Sequence, residues 1–211
     1  MATKAGARKQ SREKESPDAN ELLILELQEI HSAETQLARQ LPRLSKAVES
    51  ATLREMLDER LEEGERIIGD IENALEEIDA SPGRRRNVAA EGLVNDAREH
   101  VQEIERGPAL DSVLIGSIQK TEHYCIAAWG TARALAQALE QKTATNAMER
   151  ALKEGGQYDE RLTKLAEKEV TPALLQAETE VMEDEEDEAG SNGGGRGRTQ
   201  RSRRSEERAS K

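Results

Sequence analysis

NELLILELQEIHSAETQLARQLPRLSKAV, residues 20–48, carries its apolar side chains at Leu22, Leu23, Leu27, Ile30, Leu37, Leu41, Leu44 and Val48. The intervals are threes and fours, the period of one helical face rather than the alternation of a strand. Glu34 stands in the same series, an acid where the period places a core residue. Asp18 or Asn20 is a suitable N-cap, and Pro42 should kink the helix or weaken its last turns.

The same period recurs downstream. After the corner at residues 49–52, ESAT, a second helix is expected through Leu53, Met56, Leu57, Leu61, Ile67, Ile68, Ile71, Leu75 and Ile78. Ser50 or Thr52 would cap it, with Glu55 completing a capping box after Thr52, and Ser81-Pro82-Gly83 would stop it. A shorter helix is expected over 87–106, up to Gly107-Pro108. A long one follows over 110–141, and a last one over 143–170, up to Thr171-Pro172.

Composition supports the helical reading. The 211 residues include no Phe, two Tyr and one Trp, and the apolar content is mostly Leu, Ile, Val and Ala among many Glu, Arg and Gln. Such a mixture favours helix over sheet. This predicts an all-α chain with three parts: a flexible arm at 1–19, a helical bundle at 20–172, and a tail at 173–211. The tail, an acidic block followed by a Gly/Arg/Ser-rich end, has almost nothing to bury and should be disordered.

Charge and cysteine content narrow the function classes. With 43 acidic and 31 basic residues the formal charge is -12, which disfavours nucleic-acid binding except through the basic C-terminal tail. The single cysteine cannot form an internal disulfide and fits a reducing compartment. No apolar run approaches the roughly 18 residues of a membrane helix, and the polar opening shows no signal segment. A cytoplasmic protein is expected.

Two long hairpins separated by a shorter helix make a four-helix bundle of the ferritin-like kind, in which a crossover joins the pairs. An up-down-up-down bundle would leave the helix at 87–106 without a role. Dimetal sites in crossover bundles draw carboxylates from all four long helices. Glu34 and Glu62 lie at broadly matched depth from the corner near residue 50, and Glu122 and Glu154 from the corner near 142. Glu122 belongs to TEHYCIAAWG, residues 121–130, where an acid, an imidazole, a phenol and the chain's one thiol follow one another.

At this point HSAETQLARQLPRL (31–44), RLEEGERI (60–67), AAEGLVNDA (89–97) and QKTEHYCIAAWGTARALAQ (119–137) resemble the YciE/YciF family of ferritin-like proteins. The likeness covers roughly residues 20–170. It implies a ferritin-like fold, often dimeric, with a ferroxidase or other dimetal role and an association with stress. Glu34, Glu62, Glu122 and Glu154 match acidic family positions. Glu65 stands where relatives often have His, Cys125 where they often have an acid, and Gly155-Gly156 thin out the last helix. His31, one turn before Glu34, offers an imidazole. Glu91 and His123 are further candidates, Glu91 only if the connecting helix folds over the bundle.

Three readings result. The first is an iron or manganese dimetal protein reacting with oxygen or peroxide, ligated by Glu34, Glu62, Glu65, Glu122 and Glu154. The second is a metal-free helical stress protein that works by oligomerisation or partner binding. The third is a nucleic-acid-associated protein using its basic ends. A homodimer is expected in the first two.

Overall fold

A computed structural model describes residues 16–179 and residue 182. Residues 1–15 of the expected N-terminal arm and the tail after residue 179, apart from residue 182, therefore lie outside the described residues. Asp18 and Ala19 belong to the start of the first helix, and residues 173–179 of the expected tail are helical. The elements are α1 (Ala19–Ala47), α2 (Ala51–Glu77), α3 (Val88–Glu103), α4 (Pro108–Ala138) and α5 (Lys142–Leu165). The described residues are all-α.

Local chemistry accounts for each boundary. Asp18 caps α1 by accepting from the Glu21 amide at 2.9 Å, while Glu21 accepts from the Asp18 amide at 3.0 Å, a complete capping box. Helix α1 continues through Pro42 to Ala47. Ser50 caps α2 through the Leu53 amide. The capping box expected on Thr52 does not form, because α2 already starts at Ala51 with Ser50 as its cap and Thr52 lies inside the helix, where its hydroxyl donates to Glu169. Helix α2 ends at Glu77, before Ser81-Pro82-Gly83, where Asp79 adopts a φ of 53° and the Ala80 amide reaches back to the Leu75 carbonyl. Asn87 caps α3, and Pro108 opens α4 at a position where its missing N–H costs nothing.

The last helix departs from expectation. A π-helical turn at Ala166–Val170 follows α5, and residues 171–179 continue as helix past the expected stop at Thr171-Pro172. The Thr171 amide bonds to the Ala166 carbonyl, one residue further back than in an α-helix. Widening the turn lets the chain accommodate a proline that cannot complete the usual ladder.

Helices α1 and α2 form one antiparallel hairpin and α4 and α5 the other, with α1 against α4 and α2 against α5. Helix α3 packs across α1 and α4 as the crossover. The architecture is the ferritin-like four-helix bundle.

Two apolar clusters fill the interior. One contains Leu37, Leu41, Leu57, Leu114, Ile118 and Leu162. The other contains Leu27, Ile30, Ile67, Ile71, Trp129 and Met148. Each buried Leu or Ile contributes on the order of 1.5–3 kcal/mol of transfer free energy. Between the clusters every long helix crosses the same level, and there the interior is polar.

Candidate functional site: a buried arginine between two carboxylates

Glu34 from α1, Arg60 from α2 and Glu122 from α4 meet at that level, each at most 1% exposed. Arg60 Nε donates to Glu122 Oε2 at 2.8 Å, and Nη2 donates to Glu34 Oε1 and Oε2 at 3.2 and 3.1 Å. The guanidinium carbon lies 5.8 Å from the Trp129 ring centroid, within cation–π range. Arg60 Nη1, Glu122 Oε1, Trp129 Nε1 and the Tyr158 hydroxyl have no hydrogen-bond partner among the described residues.

Two glycines make room for the layer. Gly64 lies one turn beyond Arg60, where a Cβ would come 3.1 Å from Nη1 and 3.3 Å from Glu34 Oε2. Gly155 of α5 is tighter still: a Cβ there would overlap the Trp129 ring and sit 2.6 Å from Glu122 Oε1. The glycine that looks like a weak point in the sequence is thus a packing requirement. Its neighbour Gly156 faces open space.

The charges settle by competition. Burial works to discharge Arg60, but Glu34 and Glu122 together hold its pKa well above the ordinary value. Burial raises Glu122 from 4.5 to about 7, with Arg60 opposing and Glu34 assisting. Burial also pushes the Cys125 thiol well up, aided by Glu34. A buried thiol with so little thiolate character is a packing residue rather than a nucleophile.

The residues of 121–130 separate because each step turns about 100° around the helix. Glu122 points to Arg60, and His123 is exposed at 3.4 Å from Asp159. The Tyr124 hydroxyl accepts from Asn87 Nδ2 at 2.6 Å and ties α4 to the start of the crossover. Cys125 packs in the core with Trp129.

The expected ligands do not converge on one centre, although Glu62 and Glu154 line a common open cavity with Glu59 and Glu63. Glu34 and Glu122 are brought together, but around Arg60. Glu62 and Glu65 are exposed on α2. Glu154 is half-buried and paired with Arg66. His31 pairs with Glu72 at 2.9 Å, and Glu91 with Arg86. Among the described residues no three of His, Cys, Asp and Glu form a group able to hold a metal ion.

An iron or manganese pair, as the fold family implies, needs bridging carboxylates with space between them. Here a permanent cation fills the place between Glu34 and Glu122, and α5 presents Gly155 at that level. The residues present do not fit a dimetal centre.

Sequence reasoning missed Arg60, although the signal was there. Leu57, Arg60, Gly64 and Ile67 continue the three-and-four period of the buried face of α2. Glu62, two residues from Arg60, lies about 200° away around the helix and must face outward when Arg60 faces in.

The sequence profile of a family described as a domain of unknown function, DUF892, matches residues 18–175. The chain belongs to the DUF892 family. Protein YciF of Escherichia coli strain K12 is 36% identical over 141 residues, 66% of this chain and 85% of the relative. The crystal structure of the E. coli stress protein YciF superposes with a TM-score of 0.69 at 34% identity, covering 72% of this chain and 96% of that one. YcfI of Rhodopseudomonas palustris, provisionally described as a structural protein, gives a TM-score of 0.68 at 25% identity, covering 72% and 98%. The resemblance read from the four sequence segments is borne out. The polar layer of this DUF892 chain lies wholly inside the matched region.

Proposed function

We propose that this DUF892 protein is a metal-free helical stress protein that acts by self-association or partner binding, with no ferroxidase chemistry of its own. The observation that carries the reading is Arg60: its guanidinium holds together the two carboxylates that a metal would otherwise bridge. The stress role rests on likeness to E. coli YciF, which bears that description. The description of YcfI as a structural protein points the same way. No described helix is long and apolar enough to cross a membrane, and the cytoplasm remains our placement on composition.

A homodimer goes with this reading. The outer face of α1 and α4 offers a shallow apolar groove of about 730 Å³, with Ala127, Gly130 and Ala134 between Leu22 and Leu135. Small residues there let a second backbone approach closely. Light scattering across micromolar concentrations should give a dimer mass; a monomer throughout would leave partner binding as the mode of action.

The competing reading is an iron or manganese dimetal protein with ferroxidase or peroxide-linked activity. The meeting of Glu34 and Glu122 at the bundle centre favours it. Elemental analysis and melting with ferrous or manganous ion under anaerobic conditions separate the two. The metal-free reading expects no stoichiometric metal and no metal-dependent melting shift in the parent or in the E34Q/E122Q variant, whose melting point without metal falls because Arg60 loses both carboxylates. Two metals per chain, lost in that variant, would overturn it.

A further inference from the structure

Between α1 and the loop that leads into α3 lies an open groove of about 440 Å³. Its charge runs against the rest of the molecule. Arg39, Arg84, Arg85 and Arg86 line it with His31, and Glu91 is its one carboxylate, in a chain of net charge -12. Arg85 pairs with Glu29 at 2.9 Å, and Arg86 pairs with Glu91. Arg39 and Arg84 form no ion pair among the described residues, so the groove keeps two uncompensated guanidinium groups.

The loop is mounted rather than loose. Gln28 Nε2 donates to the Ser81 carbonyl at 2.8 Å, and Gly83 turns the chain beside Gln28 with a φ of 66°. At the other end, the Asn87 amide donates to Ser32 Oγ at 3.0 Å, and Gln36 Nε2 donates to the Asn87 carbonyl at 3.0 Å. The Asn87 side chain also donates to the Glu29 carbonyl at 3.1 Å. Both ends of the arginine run are therefore fastened to α1. Cations carried on a fixed backbone lose less freedom on binding than cations on a flexible tail.

We propose that this groove binds a small polyphosphorylated anion. Guanidinium forks match phosphoryl oxygens in pairs, which assigns the grip to Arg39 and Arg84. Arg85 and Arg86, held by their carboxylates, shape the wall. The volume lies in the range of small-ligand sites, roughly 300–1,000 Å³. A long nucleic acid fits less well, because its backbone would run from the groove onto an acidic surface. The site is separate from the Arg60 layer, so its existence does not depend on whether the core holds a metal.

Calorimetric titration of the full chain with inorganic pyrophosphate tests this, with sulfate at matched ionic strength as the comparison. We expect saturable equimolar pyrophosphate binding, weakened by at least about tenfold in R39Q/R84Q and partly in R84Q. R39K/R84K keeps the charge, loses the fork and should fall between. R133Q, which alters an arginine paired elsewhere with Glu149, should bind like the parent. Circular dichroism will show that the variants are folded. Absence of saturable binding overturns the proposal. So does unchanged affinity in R39Q/R84Q, which would put the anion elsewhere, as on the arginines beyond residue 195. Tighter binding of a single-stranded oligonucleotide that is lost in R39Q/R84Q would reassign the groove and overturn it too.

Discussion

Replacing Arg60 by Met tests the layer most directly, because the side-chain volume is nearly kept while the charge is lost. The change removes the donors at 2.8, 3.1 and 3.2 Å and leaves Glu34 and Glu122 buried with no cation between them. Breaking a buried ion pair from one side costs about 3–5 kcal/mol, because the remaining charge stays uncompensated. That is a large part of a typical domain stability of roughly 5–15 kcal/mol. The cost should depend on pH. At about pH 8 the orphaned carboxylates must take up protons against the solution or stay charged in the core, whereas near pH 5 they neutralise at little expense. Urea unfolding followed by circular dichroism should therefore show a large loss at the higher pH and a smaller one at the lower. The triple variant R60M/E34Q/E122Q, with no charge left in the layer, should recover much of the difference. An R60M protein within about 0.5 kcal/mol of the parent at both pH values would refute the reasoning.

Other outcomes follow from single positions. Gly155→Ala should destabilise by roughly 1–3 kcal/mol through overpacking against Trp129 and Glu122, although Ala is the better helix former. Gly156→Ala, in open space, should gain up to about 1 kcal/mol, and equal melting shifts of the same sign would contradict the packing. Because burial raises the folded Glu122 pKa from 4.5 to about 7, the folded state holds the extra proton between those values. That contribution, at most roughly 3 kcal/mol, is complete below the lower value and is lost as pH rises through the upper one. Glu122→Gln should flatten that slope, and an unchanged pH profile of the urea midpoint would count against it. Asp111→Ala should cost about 3 kcal/mol and Asp111→Asn less, since the Asp111 carboxylate accepts from the amides of Glu49 and Ser50. A midpoint unchanged in both would show the corner to be self-sufficient.

The bundle was legible because its information is local. Periods of three and four, the Asp18 cap and the Gly107-Pro108 break each act within a few residues of themselves. The crossover followed from length alone, since 87–106 holds a helix that a short loop has no use for. Glu34 and Glu122 stood out as acids on apolar faces. Arg60 did not, because arginine is rarely fully buried and its place depends on partners 26 and 62 residues away. Any ranking of acids by depth then favours Glu62, which has the right type and the wrong face. The π-turn was hidden for a different reason: Pro172 normally marks an end, and only the packed chain shows that one extra residue in the turn absorbs it.

Asp111 has a consequence for the order in which the molecule assembles. It is buried near the start of α4, yet its acceptors serve the corner between α1 and α2, 61 and 62 residues earlier in the chain. During folding, the first hairpin can gain helix and apolar contact early, but its corner amides stay with water until the crossover has closed and α4 has docked. Closure of such a long loop costs entropy before it returns any contact. The first hairpin should thus be a fraying intermediate rather than an autonomous unit, and amide exchange at Glu49 and Ser50 should report opening of the second hairpin instead of the first.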